Sequence, residues 1–290
     1  MERPAIAPRP VPPTVKRHRF LMSVANHSIA IAVAIIFITP FFFVIITALM
    51  TQQQALTFSL IPHPLTFGNF TTVLHSEHFL LYTWNTVVYA VLSTVGTVAS
   101  CIPVAYALGR MRWRFREPAF LLVLSTLMLP SQVTIVPLYI IFVRLGWTGS
   151  LKPLIVPAFF GDAFTIFLLR QFFKTIPEEL LDAARVDGAS EWQILRRVVI
   201  PLAKPAIAAV ALFQFLYAWN DFFDPLLYAA SNSNAWTLSV SLANYSDVHR
   251  GVLWNLQMAA SLIFMIPVLI IFFLAQRVFV EGVTLTGVKG

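Results

Sequence analysis

Residues 28–50 read SIAIAVAIIFITPFFFVIITALM, 23 positions without a charge. A helix needs roughly 20 apolar residues to cross the hydrocarbon core of a bilayer. The stretch is also longer than the apolar centre of a secretory leader, and no small-x-small cleavage site follows it cleanly, so it reads as a retained first helix. Working outward, three more charge-free runs have comparable length: 82–109, 118–143 and 252–276. Two shorter runs are interrupted by acids. Residues 153–169 contain Asp162, and 205–220 run directly into Asp221. Together these predict six membrane helices in an all-α membrane protein. The alternating ten-residue pattern of a membrane β-barrel is absent.

Composition supports this reading. The chain has 290 residues, of which 58% are hydrophobic and 11% charged, whereas soluble domains are about a quarter charged. The net charge of +7 is placed in blocks between apolar runs, which argues for membrane orientation over nucleic-acid binding. With both termini on one side, 17 of the 20 Lys and Arg residues fall on that side, and only Arg144, Lys152 and Arg250 on the other. The expectation is a multi-pass protein with both termini in the cytoplasm. The external segments are then 51–81, 144–152 and 221–251. Cys101, the single cysteine, excludes an intramolecular disulfide and reads as a small buried hydrophobe. The proline-rich N-terminus predicts a disordered tail over 1–27, ahead of a membrane domain over 28–280 and a short tail over 281–290. Prolines 40, 103, 130, 137, 157 and 267 fall within the predicted helices, where each removes a backbone donor and can kink its helix.

Residues 175–201 form a strongly punctuated loop, TIPEELLDAARVDGASEWQILRRVVIP. Thr175 with Glu178 fits a capping box, and so does Ser190 with Gln193. Glu178 and Glu179 suit the positive end of a first helix, and Arg185 its negative end. Gly188 fits the left-handed residue that stops it, and Pro201 limits the second helix. Trp192, Leu195 and Val199 form an apolar stripe on the second helix, while Glu191, Arg196 and Arg197 stay wet. Two short helices are expected, meeting beside Gly188. Such a pair suits either a groove on a partner protein or the lipid surface.

This loop resembles a motif of the permeases of ATP-binding-cassette importers, written E-A-A-x3-G-x9-I-x-L-P. Asp182-Ala183-Ala184, Gly188, and Val198-x-Ile200-Pro201 match its spacing, with Asp for Glu, Val for Ile and Ile for Leu. The C-terminus, QRVFVEGVTLTGVKG over 276–290, is similar to the tail of the smaller permease of maltose-type sugar importers. Phe67-Gly68-Asn69-Phe70 and Trp219-Asn220-Asp221 fit that subfamily too, and the likeness covers roughly residues 60–290.

The resemblance implies a type I importer permease fold of six transmembrane helices with a cytoplasmic coupling helix. The coupling contacts would be Glu179, Asp182, Ala183, Ala184, Asp187, Gly188 and Pro201, with Asp182 meeting a basic ATPase residue. Gly282, Gly287 and Lys289 would reach the ATPases from the tail. The implied partners are a second homologous permease, two copies of an ATPase and an external substrate-binding protein. ATP and Mg would be bound by the ATPases, with no cofactor in this chain and no enzymatic activity of its own. The implied cargo is a sugar or sugar-like solute. The glycines between 282 and 287 mimic a phosphate loop, but Val288 stands where its lysine belongs.

Asp162 is the one acid within a predicted span, and intramembrane acids mark functional sites; it lines a pathway or meets a partner subunit. Gln214, Tyr217, Trp219, Asn220, Asp221 and Asp224 combine aromatic faces with polar groups, which suits sugars, although Trp and Tyr also form interfacial belts. Asn232, Ser233 and Asn234 form a polar, flexible external stretch that the resemblance places against the binding protein. His63, His75 and His78 do not have metal-site spacing. Two alternatives stand beside this reading. One is an ion-coupled secondary transporter using Asp162 and Asp221, which leaves the 175–201 loop unexplained. The other is an importer permease for a glycerol-phosphate compound, polyamine or amino acid.

Overall fold

The computed structural model describes residues 13–57, 60–76, 78–245 and 253–284, and is helical with no strand among them. The principal helices are α1 (Pro13–Ala48), α2 (Phe79–Gly109), α3 (Arg116–Thr126), α4 (Ser131–Arg144), α5 (Ala163–Thr175), α6 (Glu178–Val186), α7 (Glu191–Leu202), α8 (Lys204–Asn220) and α9 (Trp254–Thr284). The helix α2 is the axis of the bundle. It packs against α5 and α8, while α9 joins α8 to α1.

Four of the six expected spans are continuous: Met22–Ala48, Phe79–Gly109, Lys152–Thr175 and Trp254–Leu274. The span expected over 118–143 is broken, α3 meeting α4 at 91°, while the one expected over 205–220 lies within α8, which meets the loop helix α7 at 80°. The break lies at Pro130, the N-cap of α4, because proline has no N–H to give and disfavours helix at the residue before it. The Lys152–Thr175 span contains a 3-10 turn, Val156–Phe160, and then Gly161 at φ +98°.

Of the N-terminal tail expected over 1–27, residues 1–12 lie outside the described residues and the rest is helical. Residues 13–27 belong to α1, since prolines are tolerated in a first helical turn and 14–27 contain neither Gly nor Pro. Residues 281–284, expected as tail, extend α9. The helix α1 touches the rest of the fold near its C-terminal end, where Thr47, Ala48 and Met50 are buried, while Phe37 is 71% exposed. A row of apolar side chains turned outward in this way is favourable only in a non-aqueous surround.

Three buried clusters hold the bundle. One, at the loop end, contains Leu169, Phe173, Leu181, Ile194, Leu195 and Val199. A second surrounds Trp219, Tyr89 and Phe142. The third joins Ala48 and Val73 to Ala259 and Ala260.

Candidate functional site

The 175–201 loop is fastened to the bundle. Leu181 of α6 and Ile194, Leu195 and Val199 of α7 are buried against α2 and α5 in the loop-end cluster. The turn between the two helices is a Schellman motif. Gly188 has φ +81°, its N–H bonds the Arg185 carbonyl at 3.0 Å, and the Ala189 N–H bonds the Ala184 carbonyl at 3.0 Å. This satisfies two of the carbonyls that the end of α6 leaves without partners. The Ser190–Gln193 capping box forms in both directions.

The expected capping box at Thr175 does not form. Thr175 is the last residue of α5, its hydroxyl donates to the Phe172 carbonyl, and Pro177 stands at the N-cap of α6. Glu178 accepts from Arg112 at 2.7 Å instead. Pro201 does not stop α7, which runs on to Leu202. A π turn over Leu195–Val199 precedes it, and the wider turn relieves the clash of a proline ring with the carbonyl four residues back. The predicted stripe also splits. Leu195 and Val199 are buried, but Trp192 is 63% exposed.

Of the residues expected at the coupling surface, Glu179, Asp182, Ala183, Asp187, Gly188 and Pro201 are exposed, and Ala184 is half-buried against the cluster. Exposed apolar side chains surround them: Leu180, Val186 and Trp192. Asp182 pairs within its own helix, accepting from Arg185 Nη1 at 2.7 Å. Arg185 Nε also donates to Glu191 Oε1 at 2.9 Å, and Glu191 Oε2 accepts from the Tyr106 hydroxyl of α2. Burial pushes the Glu191 carboxyl up, but the bonds from Arg185 and Tyr106 outweigh it and hold it below the usual range. The chain Asp182–Arg185–Glu191–Tyr106 therefore ties both loop helices to α2, the axis of the bundle.

Sequence reasoning took Arg110 and Arg170 only as orientation charges. In the structure they join α2 to α5. Arg170 is 3% exposed. Its Nε donates to the Leu108 carbonyl at the end of α2, and its Nη2 to both Glu117 oxygens at 3.0 Å. Arg110 donates to the Phe173 and Ile176 carbonyls at the end of α5.

Nearer the middle of the bundle, α2, α4, α5, α8 and the segments 153–162 and 224–228 line a half-open cavity of about 610 Å³. Of the residues expected on a pathway, Asp162, Gln214, Tyr217 and Asp224 line it, and three do not. Trp219 is buried, stacked between Phe215 and Phe264, with its Nε1–H on the Phe264 carbonyl. Asn220 donates to the Leu216 carbonyl of its own helix. Asp221 sits behind the wall, accepting from the hydroxyl of Tyr89, a lining residue, at 2.7 Å. Asp162 caps α5 through the Thr165 N–H, and its own N–H points at Cys101 Sγ. Ser131, Thr134, Thr165 and Tyr228 add hydroxyls that the sequence did not single out.

Residues 232–234, expected to be flexible, are held. Asn234 and Trp236 offer their carbonyls to the Asn85 amide, Asn232 donates to the Gly149 carbonyl, and Ser233–Ala235 form a 3-10 turn. Their side chains remain exposed. Gly282 lies in the last turns of α9, while Gly287 and Lys289 lie outside the described residues.

Comparison with known proteins agrees with this geometry. The profile of the family described as binding-protein-dependent transport system inner membrane component matches residues 101–285. The chain is 32% identical, over 95% of both chains, to the osmoprotective compounds uptake permease protein GgtD of Synechocystis sp.. It is 34% identical to the arabinooligosaccharides transport system permease protein AraQ of Halalkalibacterium halodurans, over 84% of this chain and 86% of that one. Among solved structures it is similar to a chain of a bacterial ABC transporter that imports the acidic polysaccharide alginate. That likeness has a TM-score of 0.78 at 25% identity and covers 92% of this chain and 99% of the other.

Proposed function

The chain belongs to the family of binding-protein-dependent transport system inner membrane components, and we propose that it forms, with a second homologous permease, the path by which an ABC importer takes up a sugar or sugar-like solute. It is the multi-pass membrane permease subunit of such an importer. Two ATPases and an external binding protein complete the assembly, ATP and Mg are held by the ATPases, and this chain hydrolyses nothing. Both termini and the 175–201 loop face the cytoplasm, a reading that the distribution of Lys and Arg supports.

One observation carries the mechanism: the loop is fastened to the bundle beneath while exposing Leu180, Val186 and Trp192 at its tip. A rigid element with an apolar outer face suits a cleft on a soluble partner. The ATPase seats on that face, with Glu179, Asp182, Ala183, Asp187 and Gly188 at the rim and Ala184 permitting close approach. When two ATPases close, the loop moves as a body. The motion passes into α2 through Tyr106 and the arginine contacts, and into α8 through Pro201 and the 80° bend. Gly282, Gly287 and Lys289 supply a second contact from the C-terminus. At the other end, Asn232, Ser233 and Asn234 meet the binding protein.

The test is to purify the chain with its cellular neighbours and to measure ATP hydrolysis with and without Asp182→Ala and Gly188→Pro. An ATPase should copurify, and transport-linked hydrolysis should fall in the variants while membrane assembly persists. Uptake that survives ATP depletion and collapses with the ion gradient would show a secondary transporter instead.

A further inference from the structure

The charge of the cavity bears on which solutes can enter it. Two carboxylates, Asp162 and Asp224, line a space of about 610 Å³, and no Lys, Arg or His is among its lining residues. A third acid, Asp221, stands one hydroxyl behind, bonded to the lining residue Tyr89. Arg170 of α5 faces Glu117 and the Leu108 carbonyl at the loop end, and Arg144 and Lys152, beside the lining residues Phe142 and Pro153, are not among the lining themselves. The remaining polar lining side chains are neutral: serine, threonine and tyrosine hydroxyls and the Gln214 amide. Phe142, Phe164 and Phe213 supply apolar faces.

Coulomb interactions are weak in water but several-fold stronger in a site walled by protein. Clefts of one sign focus the field and change the local concentration of charged solutes by about tenfold or more. An anion entering here meets two carboxylates and no lining cation, and the positive start of α5 is already taken by the Asp162 carboxylate. An uncharged polyhydroxyl solute instead meets hydroxyl, amide and carboxylate partners and ring faces for its C–H surfaces.

We propose that this chain's side of the path rejects anions, and so favours an uncharged polyhydroxyl compound over a uronate or a phosphate ester. The proposal rests on the importer reading above and narrows it. It separates this chain from the importer of the acidic polysaccharide alginate to which its fold is similar.

The test places a thiol in the cavity by Ser131→Cys, a near-isosteric change at a lining position. Cys101 is fully buried and does not compete for reagent. The assembled importer is held in nanodiscs with both faces open. It is treated with trimethylammonium-ethyl or sulfonato-ethyl methanethiosulfonate, and the ratio of rates is compared with that of a free thiol in the same buffer. The cationic reagent should gain about tenfold over the anionic one. Asp162→Asn and Asp224→Asn should each lower the ratio, and together bring it most of the way to the free-thiol value, Asp221 remaining behind the wall. Asn replaces Asp well as a helix cap, so α5 keeps its start. A ratio equal to the free thiol's with both acids present overturns the proposal, as does one that the paired Asn changes leave unmoved. The importer reading is measured apart, by whether an ATPase copurifies. Its absence overturns that reading while the thiol ratio can still be read.

Discussion

Arg110 and Arg170 cap each other's helices. Arg170, on α5, holds the Leu108 carbonyl at the end of α2 at 2.9 Å, and Arg110, just past α2, holds the Phe173 and Ile176 carbonyls at the end of α5. Both helices end side by side, so the carbonyls that each leaves without intrahelical partners are met by the other's arginine. The loop that follows α5 thereby starts from a fixed point on α2.

Replacing Arg170 should be costly. Its guanidinium is buried, lies 3.7 Å over the Phe120 ring and bonds both Glu117 oxygens. Arg170→Ala should destabilise the purified subunit by about 3 kcal/mol, read as a lower thermal midpoint in detergent. Arg170→Lys should recover little of this, because an ammonium cannot span Leu108 and Glu117 as a planar fork does. A midpoint unchanged in Arg170→Ala would show that the clasp is not structural.

Tyr106→Phe removes the one hydroxyl that joins α2 to Glu191. Stability should fall by about 1 kcal/mol, and solute-stimulated ATP hydrolysis in the assembled importer should fall further than the unstimulated rate. Combining it with Arg185→Gln should be non-additive, since both bond the same carboxylate. Additive effects would separate the two contacts.

Gly188→Ala should cost about 1 kcal/mol. A Cβ there meets nothing within 4 Å, so the penalty is the φ of +81° alone. Gly188→Asn should cost less, because Asn tolerates the left-handed region. Equal costs for the two would place the effect in a contact instead of in the backbone.

Glu191 sets a pH dependence. Its carboxyl lies below the ordinary range in the folded chain, so its bonds contribute fully above its unfolded pKa of about 4.3. That contribution is lost as pH falls through the lower folded value. The difference in thermal midpoint between the unaltered chain and Glu191→Gln should stay constant from neutral pH down to about pH 5 and shrink below about pH 4. A difference that grows on acidification would contradict the assignment.

Trp219 and Tyr217 lie two residues apart on α8 and should separate folding from transport. Trp219→Ala opens a void between Phe215 and Phe264 and should cost about 3–5 kcal/mol. Tyr217→Phe keeps the ring and removes a hydroxyl that bonds Asp224 in the cavity wall, so stability should fall by only about 1 kcal/mol while solute-stimulated hydrolysis changes. Reversed outcomes would exchange their roles.

What the sequence determined by itself was set by near neighbours along the chain. Charge-free runs marked the spans, Ser190 with Gln193 marked a cap, and Gly188 marked the turn, because capping and helix stops depend on groups within about four residues. The proline at 130 signalled a break but not its 91° angle. Only the tertiary structure decided the rest. The clasp joins residues 62 and 63 apart in sequence, the Tyr106–Glu191 bond spans 85, and Tyr89–Asp221 spans 132. It also turned Tyr217 toward the cavity and Trp219 into the core, and left Trp192 facing outward. Each of these depends on which faces of distant helices meet, and helix periodicity shows only that a helix has faces, not what each one meets.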